Sequence, residues 1–354
     1  MASKHSIDSG ARWTPIRRAA VLLALGVVVV AGVGCGGSDS SSSGGGSGDA
    51  GGAKGKSVVL LGCTNANPWC AAFNKSLETG LEGKGVKVTT QTTNFDPVVQ
   101  SQQAGQAIAQ HPAAILSHVA DPTAAASWMR RAKAAGIKVI AVDADIGAVN
   151  LDLVTANLMP DHCKLGKFAA QNIQEGLEKQ GVTSGNVIVI AGTESQIHVQ
   201  TRLKCFGEEL SKTPGLKIVE TQDGNWDPIK TGTIAQQLFA KWRGKGGIQA
   251  AYGMADYQAA AISRVADQAG LALYPRDAKG MVVTGSNCAD AGLKAIDAGT
   301  MYGGATQSPI LEGQDFVPYI VKVLGGGTIG KKITTPVARI TKANAAKYAE
   351  YCSI

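Results

Sequence analysis

Short apolar runs bounded by turn residues alternate along this chain with stretches whose apolar positions recur every three or four residues. The run Ser57 to Phe73, SVVLLGCTNANPWCAAF, is the first such unit. Val58–Leu61 reads as a buried strand, Thr64 to Asn67 as a polar loop, and Pro68-Trp69 as a helix start, where proline is favoured because its missing N–H would be unpaired anyway. The same reading predicts strands at Val86–Thr90, Ala113–His118 and Ile137–Val142, with helices at about 69–83, 97–110 and 122–135. A second series has strands at Leu151–Ala156, Val187–Ala191, Leu216–Thr221, Ala250–Met254 and Met281–Thr284, and helices near 162–180, 197–212, 228–242 and 256–269. Tyr302–Thr306, a helix near 309–324, a strand near Val337–Ile340 and a short terminal helix close the chain. Such alternation implies parallel sheets covered by helices, and two similar series imply two α/β domains with the cleft between them as the default ligand site.

Length and charge narrow the function. The 354 residues suffice for two domains, and 45 glycines with 5% aromatics suit α/β units with tight turns. Of 34 basic and 27 acidic residues, positions 1–34 hold four and one, which leaves +4 for the remainder. No Lys/Arg block with interleaved aromatics is present, so nucleic acid is not an expected partner.

The N-terminus reads as a targeting segment. Arg17-Arg18 precede the apolar run Ala19 to Val33, about 15 residues against the ~20 that span a bilayer. Gly32-Val33-Gly34-Cys35 is similar to a bacterial lipobox, so residues 1–34 are expected to be a lipoprotein signal peptide and Cys35 the lipidated mature N-terminus. Residues 35–56 read as a Gly/Ser linker spanning ~25 Å. Ala50 to Ser57 fit a loose P-loop pattern, but they precede a strand rather than follow one, so phosphate binding is rejected. Six further cysteines (63, 70, 163, 205, 288 and 352) permit disulfides with 15 connectivities or stand as buried thiols. No C-x-x-C pair occurs, and the five histidines show no metal spacing.

Asn67-Pro68-Trp69 and several later landmarks, in order, resemble the ribose/galactose-type periplasmic binding proteins of sugar ABC importers. The strand Ile137 to Val142 ends in Asp143, where the family places a ligand-binding Asp; Asp161 to Gly166 opens the second domain. Arg202-Leu-Lys-Cys-Phe206 resembles the family's Arg-x-x-Gly-Phe helix, and Asn225-Trp226-Asp227 its aromatic-Asp pair. Tyr252 to Asp256, Thr284 to Asn287 and Ala305-Thr306-Gln307 resemble the remaining loops, the last being a hinge with a binding Gln. The resemblance covers about residues 57–345. It implies two Rossmann-like lobes with parallel sheets joined by a three-crossover hinge: an N-terminal lobe of 57–158 plus 308–333 and a C-terminal lobe of 159–307 plus 334–354.

What the resemblance implies for the site is an extracytoplasmic solute receptor without a cofactor or catalytic residues, acting as a monomer on the outer face of the cell membrane and feeding an ABC permease. A sensor of the same fold, signalling to a kinase or chemoreceptor, is the second reading. A lactose-repressor type is disfavoured because a targeting segment stands where DNA-binding helices would lie. Sugars offer apolar C–H faces and a rim of hydroxyls, which flat aromatics and amide or carboxylate groups match. Trp69 and Trp226 are expected to stack on opposite ligand faces, Asp143 to accept from hydroxyls, and Asn67, Asn287 and Gln307 to donate and accept. Asp256 is a further candidate that equally reads as a helix cap. The family's aromatic, first Arg and second Arg are replaced by Cys70, Ala144 and Gln200, which points to a neutral sugar or polyol. His198, two residues before Gln200 on a helical stretch, has a cleft-facing reading, but a surface or packing role is preferred.

Overall fold

A computed structural model describes residues 50–353. The expected signal peptide, Cys35 and most of the linker lie outside the described residues. Part of the expected linker does not behave as one. Ala50–Ala53 form a 3-10 turn, and Ala53 is fully buried in the first lobe's core. A Cβ on Gly52 would meet Gly325 Cα at 2.9 Å, so glycine here permits close backbone contact rather than chain freedom.

The first sheet takes β1 (Ser57–Cys63), β2 (Lys87–Thr93), β3 (Ala114–Ser117), β4 (Lys138–Val142) and β5 (Ala156–Pro160), separated by α1 (Pro68–Glu82), α2 (Pro97–Ala109) and α3 (Pro122–Ala134). Next come α4 (His162–Glu178), β6 (Gly185–Ala191), α5 (Ile197–Leu210), β7 (Leu216–Asp223), α6 (Pro228–Trp242), β8 (Ala250–Gly253), α7 (Asp256–Gln268) and β9 (Leu273–Tyr274). Then follow β10 (Met281–Thr284), α8 (Asp290–Asp297), β11 (Gly303–Ala305), α9 (Pro309–Leu324), β12 (Lys332–Thr335) and β13 (Arg339–Thr341). The first sheet runs β12-β5-β4-β3-β1-β2, all parallel. The second runs β13-β11-β10-β8-β6-β7, with β9 on β10 and only β13 antiparallel. The chain therefore passes between the sheets three times, after β5, β11 and β12. Among the described residues no helix is long and apolar enough to cross a membrane.

Local chemistry explains why the helices begin where they do. Asn67, Asp96, Asp121, Asp227 and Ser308 each accept a backbone N–H of the helix that follows, and each precedes a proline in the first helical turn. Helices cover both faces of both sheets, so the central strands are buried throughout and mostly apolar. Phe73, Leu77 and Leu81 of α1 pack with Phe316 and Ile320 of α9 over the first sheet; each such side chain contributes about 1.5–3 kcal/mol by burial.

Two expected strands differ. Leu151–Ala156 is displaced: Ala148–Leu153 form a 3-10 turn because buried Asn150 donates to the carbonyls of Pro122 and Ile146, and β5 starts only at Ala156. The strand expected at Val337–Ile340 begins only at Arg339, as β13, and β12, which no expected strand covers, precedes it in the other sheet, with Pro336, which cannot donate to a ladder, at the passage between them. The first-sheet strand β12 runs to Thr335, two residues past the expected lobe boundary. The six cysteines pair as Cys63–Cys70, Cys163–Cys205 and Cys288–Cys352, which decides between the two readings left open.

Candidate functional site

Loops at the carboxyl ends of strands from both sheets meet in a cavity of about 30 Å³. From the first sheet come Asn67, Trp69 and Cys70 after β1, Phe95 after β2, His118 after β3 and Asp143 after β4. From the second come His198 and Arg202 on α5, Trp226 after β7, Tyr257 on α7 and Asn287 after β10, while Gln307 lies on the passage after β11. The backbone is unusual at these places. Phe95, Asp143, Asn225, Trp226, Asn287 and Cys288 all have φ between 53° and 89°, each shortly after a strand end. Non-glycine residues adopt that conformation at a cost of about 1–3 kcal/mol and do so mostly where the surroundings impose it.

Asp143 is the hub. Its Oδ1 accepts from Gln307 Nε2 at 2.7 Å, its Oδ2 from His118 Nε2 at 2.7 Å, and its carbonyl from His162 Nε2 at 2.9 Å. Burial favours the neutral acid, but the hydrogen bond and charge of His118 hold the carboxyl well below its usual range. Gln307 accepts from Arg202 Nη2 through Oε1, and its carbonyl accepts from Trp69 Nε1 at 2.8 Å. Arg202 also donates to His162 Nδ1 at 3.2 Å, so that imidazole is neutral with its proton on Nε2. Burial, then the adjacent guanidinium, push the His162 pKa down to about 4.

Aromatic rings form two walls. Trp69 stacks on Phe73 with centroids 5.2 Å apart. Opposite in sequence, His162, His198 and Trp226 stack in series at 5.0 and 6.0 Å, with the Arg202 guanidinium 5.6 Å over the indole. Trp226 is fixed further by its Nε1 donating to Gln196 Oε1 at 2.8 Å. Several buried polar atoms at the cavity make no hydrogen bond among the described residues: His118 Nδ1, His198 Nδ1 and Asn287 Oδ1. A wider cleft of about 490 Å³ opens beside the cavity between Asn67, Phe95, Trp226 and Tyr257.

Of the nine expected ligand-binding residues, seven line the cavity: Asn67, Trp69, Cys70, Asp143, Trp226, Asn287 and Gln307. Asn67 spends its Oδ1 capping α1, and its Nδ2 donates to Tyr257 OH at 3.1 Å across the cleft. Cys70 is bonded to Cys63 and offers no thiol. Gln200 does not line the cavity; it is exposed and donates to the Glu194 carbonyl. Asp256 does not line it either: its Oδ2 accepts from Ala289 N, joining α7 to the start of α8, and burial pushes its pKa up to about 8.

Sequence reasoning missed His118, Tyr257, Phe95, His198 and Arg202, all of which line the cavity. For the last two the reason lies in which face of α5 turns inward. The buried positions of α5 include 198, 199, 202, 205, 206, 209 and 210, a helical stripe that turns 198 and 202 inward and 200 outward. The guanidinium expected to be absent is thus supplied from Arg202, 1% exposed.

Over residues 58–328 the chain matches the family described as periplasmic binding protein domain. It is similar to the D-apiose import binding protein of Paraburkholderia graminis, 22% identical over 292 residues that cover 82% of this chain and 88% of that protein. It is similar also to the ribose import binding protein of Bacillus subtilis, 23% identical over 289 residues with the same shares. An ABC transporter solute-binding protein of Bacillus halodurans, solved with bound myo-inositol, shares the fold at a TM-score of 0.74 and 17% identity, over 84% of this chain and 99% of that one. The family match runs from β1 into the segment after α9 and takes in every residue that lines the cavity; the chain belongs to the periplasmic binding proteins, in their two-lobed type I form.

Proposed function

We propose that this chain is an extracytoplasmic solute-binding lipoprotein that captures a small neutral sugar or polyol between its lobes and delivers it to an ABC importer. The observation that carries the reading is the pairing of one buried carboxylate, Asp143, with one buried guanidinium, Arg202, through Gln307 and between the indoles of Trp69 and Trp226. The opposite charges balance, which suits a neutral ligand, and each is a strong partner for hydroxyls. The cavity of about 30 Å³ holds a water or two, since one needs about 10–15 Å³, and not a sugar ring. Entry of a ligand therefore requires the lobes to part along the three connections, with the ligand then contacting both. The relatives named as binding apiose and ribose support the chemical class. The test is mass spectrometry of small molecules released from the purified protein, followed by calorimetry against a carbohydrate and cyclitol panel. Binding of amino acids or aromatic compounds alone would overturn the reading.

A further inference from the structure

The corners after β2 and β7 carry one motif: Asn94-Phe95-Asp96-Pro97-Val98 in the first lobe and Asn225-Trp226-Asp227-Pro228-Ile229 in the second. Both strands stand at a sheet edge, beside β1 and β6, so the corners occupy equivalent places in the two lobes. Their geometry repeats as well. Phe95 and Trp226 have φ of 55° and 56°. Asp96 Oδ1 accepts from the N–H of Val98 at 2.8 Å and of Val99 at 3.1 Å, and Asp227 Oδ1 from Ile229 at 2.7 Å and Lys230 at 3.1 Å. The cap and the proline after it fix each corner and impose the left-handed aromatic that precedes them. Each ring then lies against a histidine of its own lobe: Phe95 edge-on to His118 with centroids 5.8 Å apart, Trp226 stacked on His198 at 6.0 Å.

Asn67, Phe95, Trp226 and Tyr257 border both the inner cavity and the wider cleft outside it, so these four form the mouth between the two. Trp69 borders the cavity but not the cleft and lies deeper. The other three mouth residues are held by polar bonds: Trp226 to Gln196, and Asn67 to Tyr257. Phe95 has no polar atom to hold it. Its half-buried ring packs instead against the apolar clusters of both lobes, so a first-lobe side chain shares in the packing of the second. We propose that Phe95 is a specificity-determining residue of the ligand site: the first-lobe counterpart of Trp226, whose ring closes the mouth over the bound solute. A solute enclosed beneath that ring has no room for a substituent on the side that faces the mouth. Truncation of the ring joins the cavity to the cleft of about 490 Å³ and makes that room. The size limit rests on the ligand reading above; the closing of the mouth does not.

Acrylamide quenching of tryptophan fluorescence, on the purified protein without added solute, reads the mouth alone. Phe95→Ala is expected to raise the quenching constant by about half or more, because it opens a path to the indoles of Trp69 and Trp226. Phe95→Leu keeps apolar bulk at the corner and is expected to raise it less, and circular dichroism shows that both variants fold. An unchanged constant in Phe95→Ala overturns the closing role. Calorimetry with free pentoses, hexoses and cyclitols and with their mono-O-methyl ethers reads the size limit. In Phe95→Ala at least one ether is expected to gain about tenfold in affinity relative to its parent compound. No gain for any ether, with the parents still bound, overturns the specificity role. If no carbohydrate binds the wild-type protein, the ligand reading falls with its size limit, and the quenching result still decides the mouth.

Discussion

The Nε2 of His118 stands 2.7 Å from the Oδ2 of Asp143, with both side chains at 5% exposure or less. That contact ties the end of β3 to the end of β4 and points a carboxylate at the cleft in one rotamer. Hydrogen bonds to charged groups are worth about 1.5–3 kcal/mol. Asp143→Asn is therefore expected to weaken the tightest-binding carbohydrate of the panel about 10- to 150-fold by calorimetry. Affinity within twofold of wild type would remove Asp143 from the ligand contacts.

Gln200 and Arg202 offer a contrast on one helix. Gln200→Ala changes an exposed side chain and should leave affinity within twofold. Arg202→Met removes the donor to Gln307 and the cation over Trp226 and should cost tenfold or more, with Arg202→Lys intermediate because an ammonium lacks the planar fork. Circular dichroism of each variant separates a folding defect from lost contacts.

His162 and Asp256 give stability profiles of opposite slope. The folded pKa of His162 is lowered from 6.5 to about 4, so its contribution is complete above pH 6.5 and is lost as pH falls toward 4. The folded pKa of Asp256 is raised from 3.8 to about 8, so its contribution is complete below pH 3.8 and is lost as pH rises through 8. Each acts at about 1.4 kcal/mol per pH unit within its window. Denaturant unfolding from pH 4 to 9 should show Asp256→Asn losing less stability than wild type toward alkaline pH. His162→Gln should lose less toward acid. Parallel curves for wild type and both variants would contradict both assignments.

Cys35 carries the membrane attachment in the proposed function. Cys35→Ala, expressed in the native host and fed a labelled fatty acid, should carry no label and move to the soluble fraction. Equal labelling of both chains would exclude lipidation at this position.

The three disulfides differ in the chain they enclose. Sequence separations are 7 for Cys63–Cys70 and 42 for Cys163–Cys205. By loop-closure entropy, the paired serine replacements should cost about 2.5 and about 4 kcal/mol respectively. Urea unfolding would reverse this ranking if strain in the native state, rather than the unfolded chain, set the cost.

The fold was largely legible because its signals are local. Asx-Pro or Ser-Pro at five helix starts and apolar runs at the strands need no distant partner. The site was legible where a polar or indole side chain sat in a loop at a strand end, as with Asp143 and Trp226, or in the first turn of the helix after one, as with Trp69. It was not legible where a group lay further along a helix whose inward face is set by the second sheet. His198 and Arg202 are indistinguishable from packing residues until the second sheet fixes which face of α5 turns inward. Asn67 shows the converse: one residue type served capping and the cleft together, and sequence alone cannot divide its atoms between them. Residues 50–53 failed for a related reason, because glycine marks both a loose chain and a tight contact.

Each disulfide has a half immediately beside a residue at or against the cavity: Cys70 follows Trp69, Cys163 follows His162, and Cys288 follows Asn287. A chain still in a reducing cytoplasm carries none of these ties. In the extracytoplasmic receptor proposed above, oxidation of the three pairs thus fastens the chain beside both aromatic walls, one tie on the Trp69 side and two on the side of His162 and Asn287.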